Sequence, residues 1–291
     1  MTNIYSKGRA LLNIAAAVSV LLLFASCDEI EGTYRQTDGG TDSVVSNKRK
    51  IILEEYTGFR CTNCPRAARL AHQIAEESDH QVFLLTVHAG SFATPQATGL
   101  FTYDFRTTEG NELNNTFGIN FNPAGMISRM RFTEGLVLND GSWSAKVEEL
   151  MKTEPKVLIR LFRKYDPLTR ELYLDVEIAC LSKGNANYRL ALYMLEDSIV
   201  KPQIDKEKTP PDVENYVHNN VLRGSITGTW GEQLSTTEIP AGYILRREYY
   251  YTIPEGKDWR LEKMKILAFV HELIPEKSYE ILQAEEINLI D

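Results

Sequence analysis

Cys61 and Cys64, three residues apart, are the residues of this 291-residue chain best suited to chemistry. They sit in Phe59-Arg60-Cys61-Thr62-Asn63-Cys64-Pro65, and Ala67, Leu70, Ala71 and Ile74 follow at i, i+3, i+4 and i+7. That spacing predicts an amphipathic helix, with Pro65 in the first turn, where its missing N–H costs nothing. The unpaired N–H groups and positive dipole end of a helix start favour a thiolate, and Arg60 adds positive charge beside Cys61. Cysteines at this spacing can close a small reducible ring. Cys61 is then the exposed nucleophile and Cys64, one turn in, the resolving thiol. The same spacing is half of a zinc site, but no second CxxC or nearby His pair supplies the other half, so no metal is expected. No phosphate-binding glycine loop, HExxH, Ser/His/Asp elbow or nucleotide fingerprint is present, so no cofactor is expected either.

The flanking elements must hold this pair in place. Ile51 to Tyr56 reads as a strand ending at Thr57-Gly58. Val82 to Val87 is a near-continuous apolar run, as in a strand buried on both faces. Residues 91–108 form a polar and aromatic insertion, and Glu109 to Phe117 a short helix. Pro123, a candidate cis-proline, stands immediately before another strand. Leu136-Val137-Leu138 reads as a short hairpin strand, and Ser142 to Met151 as a capped helix. Alternation along the first strand sends Glu54 and Glu55 to opposite faces, so one is expected buried and the other exposed. His88, at the end of the apolar run, reads as a satisfied structural histidine rather than a proton-transfer group.

This order over residues 49–153 resembles a thioredoxin-like α/β domain. The resemblance implies that Cys61 is the attacking cysteine and Cys64 the resolving one. It further implies that Glu55, six residues before Cys61, is the buried acid that assists proton transfer. Pro123 takes the place of the cis-proline whose loop packs over the disulfide and receives an extended peptide partner. Thr62-Asn63 departs from the Gly-Pro pair of reductants, and Asn122 from the Thr, Val or Ile common before the proline.

After Glu154-Pro155 the pattern changes to period two. Leu172, Leu174, Val176, Ile178 and Cys180 alternate with Tyr173, Asp175, Glu177 and Ala179, a half-buried strand. About seven such strands over residues 155–291, Tyr216 to Leu222 among them, predict an all-β immunoglobulin-like sandwich. Cys180 reads as an inert core thiol, and Trp230 as core packing in an ordered loop.

The N-terminus reads as an address. Lys7 and Arg9 precede an apolar run from Leu11 to Phe24, then Ala25-Ser26-Cys27, which is the pattern of an export signal over residues 1–26. Phe24-Ala25-Ser26-Cys27 resembles a bacterial lipobox, which implies a lipid anchor on Cys27 as the membrane contact. Asp28, Glu29 and Glu31 resemble the surface-export signal of some outer-membrane lipoproteins. Residues 27–48 read as a flexible tether. With 32 Lys+Arg against 40 Asp+Glu, a net charge of −8 and no basic block past the N-terminus, nucleic acid is excluded as a partner.

Leu53 to Pro65, Asn122-Pro123-Ala124-Gly125-Met126-Ile127 and Tyr216-Val217-His218-Asn219-Asn220-Val221-Leu222-Arg223-Gly224 together resemble the outer-membrane-protein-28 family of surface lipoproteins. That resemblance implies an outer-membrane lipoprotein with a thioredoxin-like domain followed by a β-sandwich. Two functions stay open. One is thiol–disulfide exchange with a protein or peptide partner near Pro123. The other is a non-catalytic surface binding or adhesion module in which the Cys61–Cys64 bond is a staple.

Overall fold

A computed structural model describes residues 40–43 and 46–290. The expected signal peptide, the lipid-anchor site Cys27 and most of the tether lie outside the described residues. Part of the segment read as tether is ordered. Thr41–Asp42 (β1) pairs antiparallel with Val157–Asp166 (β5), and Arg160 binds the Asp42 carboxylate at 2.9 Å.

The architecture is mixed α/β. Ile51–Thr57 (β2) leads through the CxxC into Cys64–Glu77 (α1), then Val82–His88 (β3), which lies parallel to β2. Thr108–Thr116 (α2) starts where the Thr107 hydroxyl accepts the Gly110 N–H, a side-chain cap. Ala124–Ile127 (β4) pairs antiparallel with β2, and Trp143–Met151 (α3) closes this half. The cap expected from Ser142 does not form. Asn139 instead accepts the Gly141 N–H in a 3₁₀ turn over Asp140–Ser142. Leu136 to Leu138 contributes only an isolated bridge, Leu138 to Gly125.

Next come β5, Glu171–Cys180 (β6), Tyr188–Glu196 (β7), Ile199–Ile204 (β8), Asp212–His218 (β9), Val221–Ser225 (β10), Glu232–Gln233 (β11), Ile244–Thr252 (β12), Met264–Glu272 (β13) and Ile281–Asn288 (β14). The strand expected over Tyr216 to Leu222 is split between β9 and β10, with Asn220 at φ +55° between them. One sheet runs β1-β5-β6-β12. A larger one runs β14-β13-β7-β10-β3-β2-β4, with β11 joined to β7.

The larger sheet crosses the boundary expected near residue 154. Its seam is β10 on β3, parallel, where Val221 pairs with Thr86 and the Thr86 N–H donates to the Asn220 carbonyl at 2.8 Å. The described residues accordingly form one compact unit. Each half keeps a core of its own. Ile51, Leu53 and Leu84 pack against Ala67, Trp143 and Val147 in one, and Leu174, Val176, Leu192 and Ile266 meet in the other. A third core is shared, with Ile52, Tyr56, Leu85 and Val87 against Tyr193, Leu195, Leu222 and Phe269. The halves are joined because β2 and β3 are apolar on both faces, and α1 and α3 cover only one of them.

Candidate active site

Cys61 and Cys64 form a disulfide with Cα atoms 5.4 Å apart, at the point where β2 gives way to α1. The Cys61 N–H donates to the Gly58 carbonyl at 2.8 Å, closing the turn. Gly58 has to be glycine: a Cβ there would lie 2.4–2.6 Å from the backbone of Phe92 and Ala93, which crosses over the turn. Arg60 donates to the carbonyl of Ser91.

Neither sulfur-bearing residue is open to solvent. Cys61 is 3% exposed and Cys64 2%, so the exposed nucleophile expected at Cys61 is not what the fold presents. Two segments cover the pair. Phe101 and Phe105, from the 91–107 insertion, pack on Phe59, with the Phe101 ring stacked at 5.7 Å. The second is the β8–β9 hairpin, whose His218 ring lies 4.6 Å from that of Phe105. There the Ile204 N–H donates to the Phe59 carbonyl at 2.9 Å, Gln203 Nε2 to the Cys61 carbonyl at 3.1 Å, and the Lys206 N–H to the Thr62 carbonyl at 3.2 Å.

Glu54 and Glu55 are both buried, where alternation led us to expect one exposed. The cause is that β2 is covered on both faces. Glu54 points into the shared core and meets Arg129, with Oε1 2.6 Å from Nη2 and both side chains fully enclosed. The Arg129 guanidinium is ringed by Phe117, Trp230 and Phe269 at 5.3–5.9 Å. Glu55 points to the other face, into a small cavity of about 30 Å³ that it lines with Cys64, Thr86, His88, Gln203, Tyr216 and His218. Its Oε1 has no hydrogen-bond partner. Burial, reinforced by the negative charge of Asp140, raises its pKa to about 8.

His88 is buried but not hydrogen-bonded, contrary to the satisfied histidine expected. Its ring stacks on Phe105 at 4.2 Å and meets His218 edge-on at 5.3 Å, and neither ring nitrogen has a partner. Burial, aided by His218 and Arg223, holds its pKa well below the usual range. His218 is pushed down to about 4 by burial. Both imidazoles are therefore neutral at physiological pH.

The Asn122–Pro123 peptide bond is cis, and Asn122 Nδ2 donates to the Tyr56 carbonyl at 2.7 Å. Ala124 pairs with Tyr56, so Pro123 stands at the same end of the sheet as the CxxC turn, although it does not line the Glu55 cavity. The fold thus brings Glu55 and Cys64 together and leaves Pro123 outside their cavity, at the same end of the sheet. Cys180 lies in the core of the second half as a buried free thiol whose pKa burial raises.

Sequence reading missed the β8–β9 cover. Its one local signal is Pro202 in a short strand with a polar loop after it, the mark of a strand that joins no sheet interior.

These elements define a mixed α/β protein with a covered CxxC disulfide. The profile of the family described as outer membrane protein Omp28 matches residues 110–285, and the chain belongs to that family. Membership places it at the outer membrane. The matched span begins after the CxxC. Among solved structures, HBP35 of Porphyromonas gingivalis is 18% identical, with a TM-score of 0.63 covering 84% of this chain and 76% of that one. A structural-genomics target from Agrobacterium tumefaciens is 12% identical, with a TM-score of 0.50 over 83% and 95%. These are likenesses of fold. A domain of the outer membrane lipoprotein Omp28 from Porphyromonas gingivalis is 20% identical over 47% of this chain and 89% of that one, but its TM-score of 0.29 is too low to argue from. Among curated proteins nothing matches.

Proposed function

We propose that this protein is an outer-membrane lipoprotein, held by a lipid on Cys27, that exchanges its Cys61–Cys64 disulfide with a dithiol protein partner. The observation that carries the reading is Glu55, a buried carboxyl in one cavity with Cys64 whose pKa is raised to about 8. A partner thiolate attacks Cys61 Sγ, the Cys61–Cys64 bond breaks, and Cys64 leaves as a thiolate that takes the Glu55 proton. The partner's second thiolate then attacks the mixed disulfide and releases Cys61. The partner has become a disulfide, and the chain holds a dithiol after taking up the two protons.

In this reading residues 49–153 are a thioredoxin-like half, and Pro123 receives the partner's extended backbone. Residues 155–291 are an immunoglobulin-like half that presents or holds the partner.

Equilibration in glutathione buffers tests the reading. A functional pair has a potential above about −300 mV, and Cys64→Ser traps mixed disulfides through Cys61. A bond that resists the glutathione pool, with nothing trapped, decides against exchange. The burial of both cysteines favours a second reading, in which the bond staples the start of α1 within a surface binding or adhesion protein. For the anchor, Cys27→Ser should remove the acyl mass and release the chain to the soluble fraction; unchanged membrane retention would refute it.

A further inference from the structure

The β8–β9 hairpin forms a two-stranded sheet of its own, joined to neither larger sheet. Its inner face carries Ile199, which packs with Phe59. Its outer face carries the cross-strand pair Val200 and Val217, 50% and 47% exposed. Ile204 also packs in the Phe59 cluster, His218 lies 4.6 Å from Phe105 and Lys201 sits over the Tyr103 ring. The polar contacts that fix its far end to the CxxC segment include the bonds to the Phe59, Cys61 and Thr62 carbonyls. They also include ion pairs from Arg69 on α1, to Asp205 at 2.9 Å and to Glu207. Asp205 is buried while Arg69 is half exposed, so the cation that neutralises the hairpin tip is itself open to water.

We propose that this hairpin is a strap that closes over the Cys61–Cys64 bond and must swing aside before a partner thiol reaches it, an inference that rests on the exchange reading above. Opening does two things at once. It uncovers the sulfurs, and it frees the carbonyls of Phe59, Cys61 and Thr62 as acceptors on the CxxC turn. A partner segment that carries the attacking thiol can donate to these vacated acceptors in the strap's place. Because the strap shares no ladder with the large sheets, it can open as a local unit while the core stays closed.

Two rates measured on the full chain test this. One is reduction of Cys61–Cys64 by dithiothreitol, referred to a disulfide-closed peptide of residues 59–66. The other is hydrogen exchange at the Ile204 and Lys206 amides, referred to amides of β13. The proposal expects reduction to be slower than in the peptide by about the factor that protects the two strap amides, while β13 stays more protected than either. Arg69→Ala, which leaves the buried Asp205 carboxylate without its cation, should raise both rates at least tenfold and leave β13 unchanged. Reduction as fast as in the peptide despite protected strap amides would overturn the strap. So would unprotected strap amides, strap amides that exchange only together with β13, or a variant whose amides speed up while reduction does not. Where the variant unfolds or fails to loosen, the wild-type comparison decides alone. A low equilibrium potential would sink the exchange reading itself, whereas uncoupled rates would sink only the strap.

Discussion

Glu54 and Glu55 are neighbours on one strand, and each is kept from water in a different way. Glu54 is paired with an enclosed arginine, whereas Glu55 has no ion pair and holds its proton instead. That difference has a measurable sign. With a pKa of about 8 in the folded chain against about 4.5 unfolded, the unfolded chain gives up the proton first. The stability that neutral Glu55 brings is complete below pH 4.5 and is lost as pH rises through 8. Glu55→Gln, neutral throughout, should match wild type near about pH 4 and exceed it by roughly 5 kcal/mol near about pH 9. Urea denaturation at both ends checks this, and a gap that does not change with pH contradicts it. The CxxC at a helix start and the proline before a strand could be read from the sequence, whereas Glu55 was singled out only through the thioredoxin resemblance. The burial of Cys61 and the orphaned ring of His88 could not be read there, since both depend on residues 101–105 and 199–218, far away in the chain.

At the scale of elements, β4 and α3 are locked by one close contact. A Cβ on Gly125 would stand 2.6–2.7 Å from the indole of Trp143, and Trp143 is fully buried. Gly125→Ala forces ring and strand apart, which should cost about 1–3 kcal/mol and shift the Trp143 fluorescence toward the red. Stability equal to wild type would mean that α3 can slide freely. The helix α1 was readable from its 3.6-residue repeat, and β6 from strict alternation. The β8–β9 strap was not readable. Its apolar residues face two ways, one set toward Phe59 and the other outward at Val200 and Val217, so no single buried face repeats along it.

For the molecule as a whole, the decisive fact is the sheet that runs through both halves. A change of period near residue 154 shows how strands on each side are buried, but it carries no information on which strands pair. The pairing of β10 with β3 is set by the apolar far face of β2 and β3, which only the second half can cover. The described chain should therefore unfold in one cooperative transition, with equal calorimetric and van't Hoff enthalpies. Two resolved transitions would show that the shared core contributes little. Residues 49–153 made alone would leave Ile52, Leu85 and Val87 without their partners and β3 with an open edge. We expect that fragment to be insoluble or to bind hydrophobic dyes.

The strap also imposes an order of events on a newly made chain. Cys61 and Cys64 are close enough in sequence to be joined as soon as both have emerged, whereas residues 199–218 follow much later. Oxidation thus has a window that opens early and closes when the hairpin docks. A chain that meets its oxidase inside that window folds around a finished bond. One that folds first seals a pair of free thiols beneath the hairpin, and its later oxidation proceeds only as fast as the hairpin lifts.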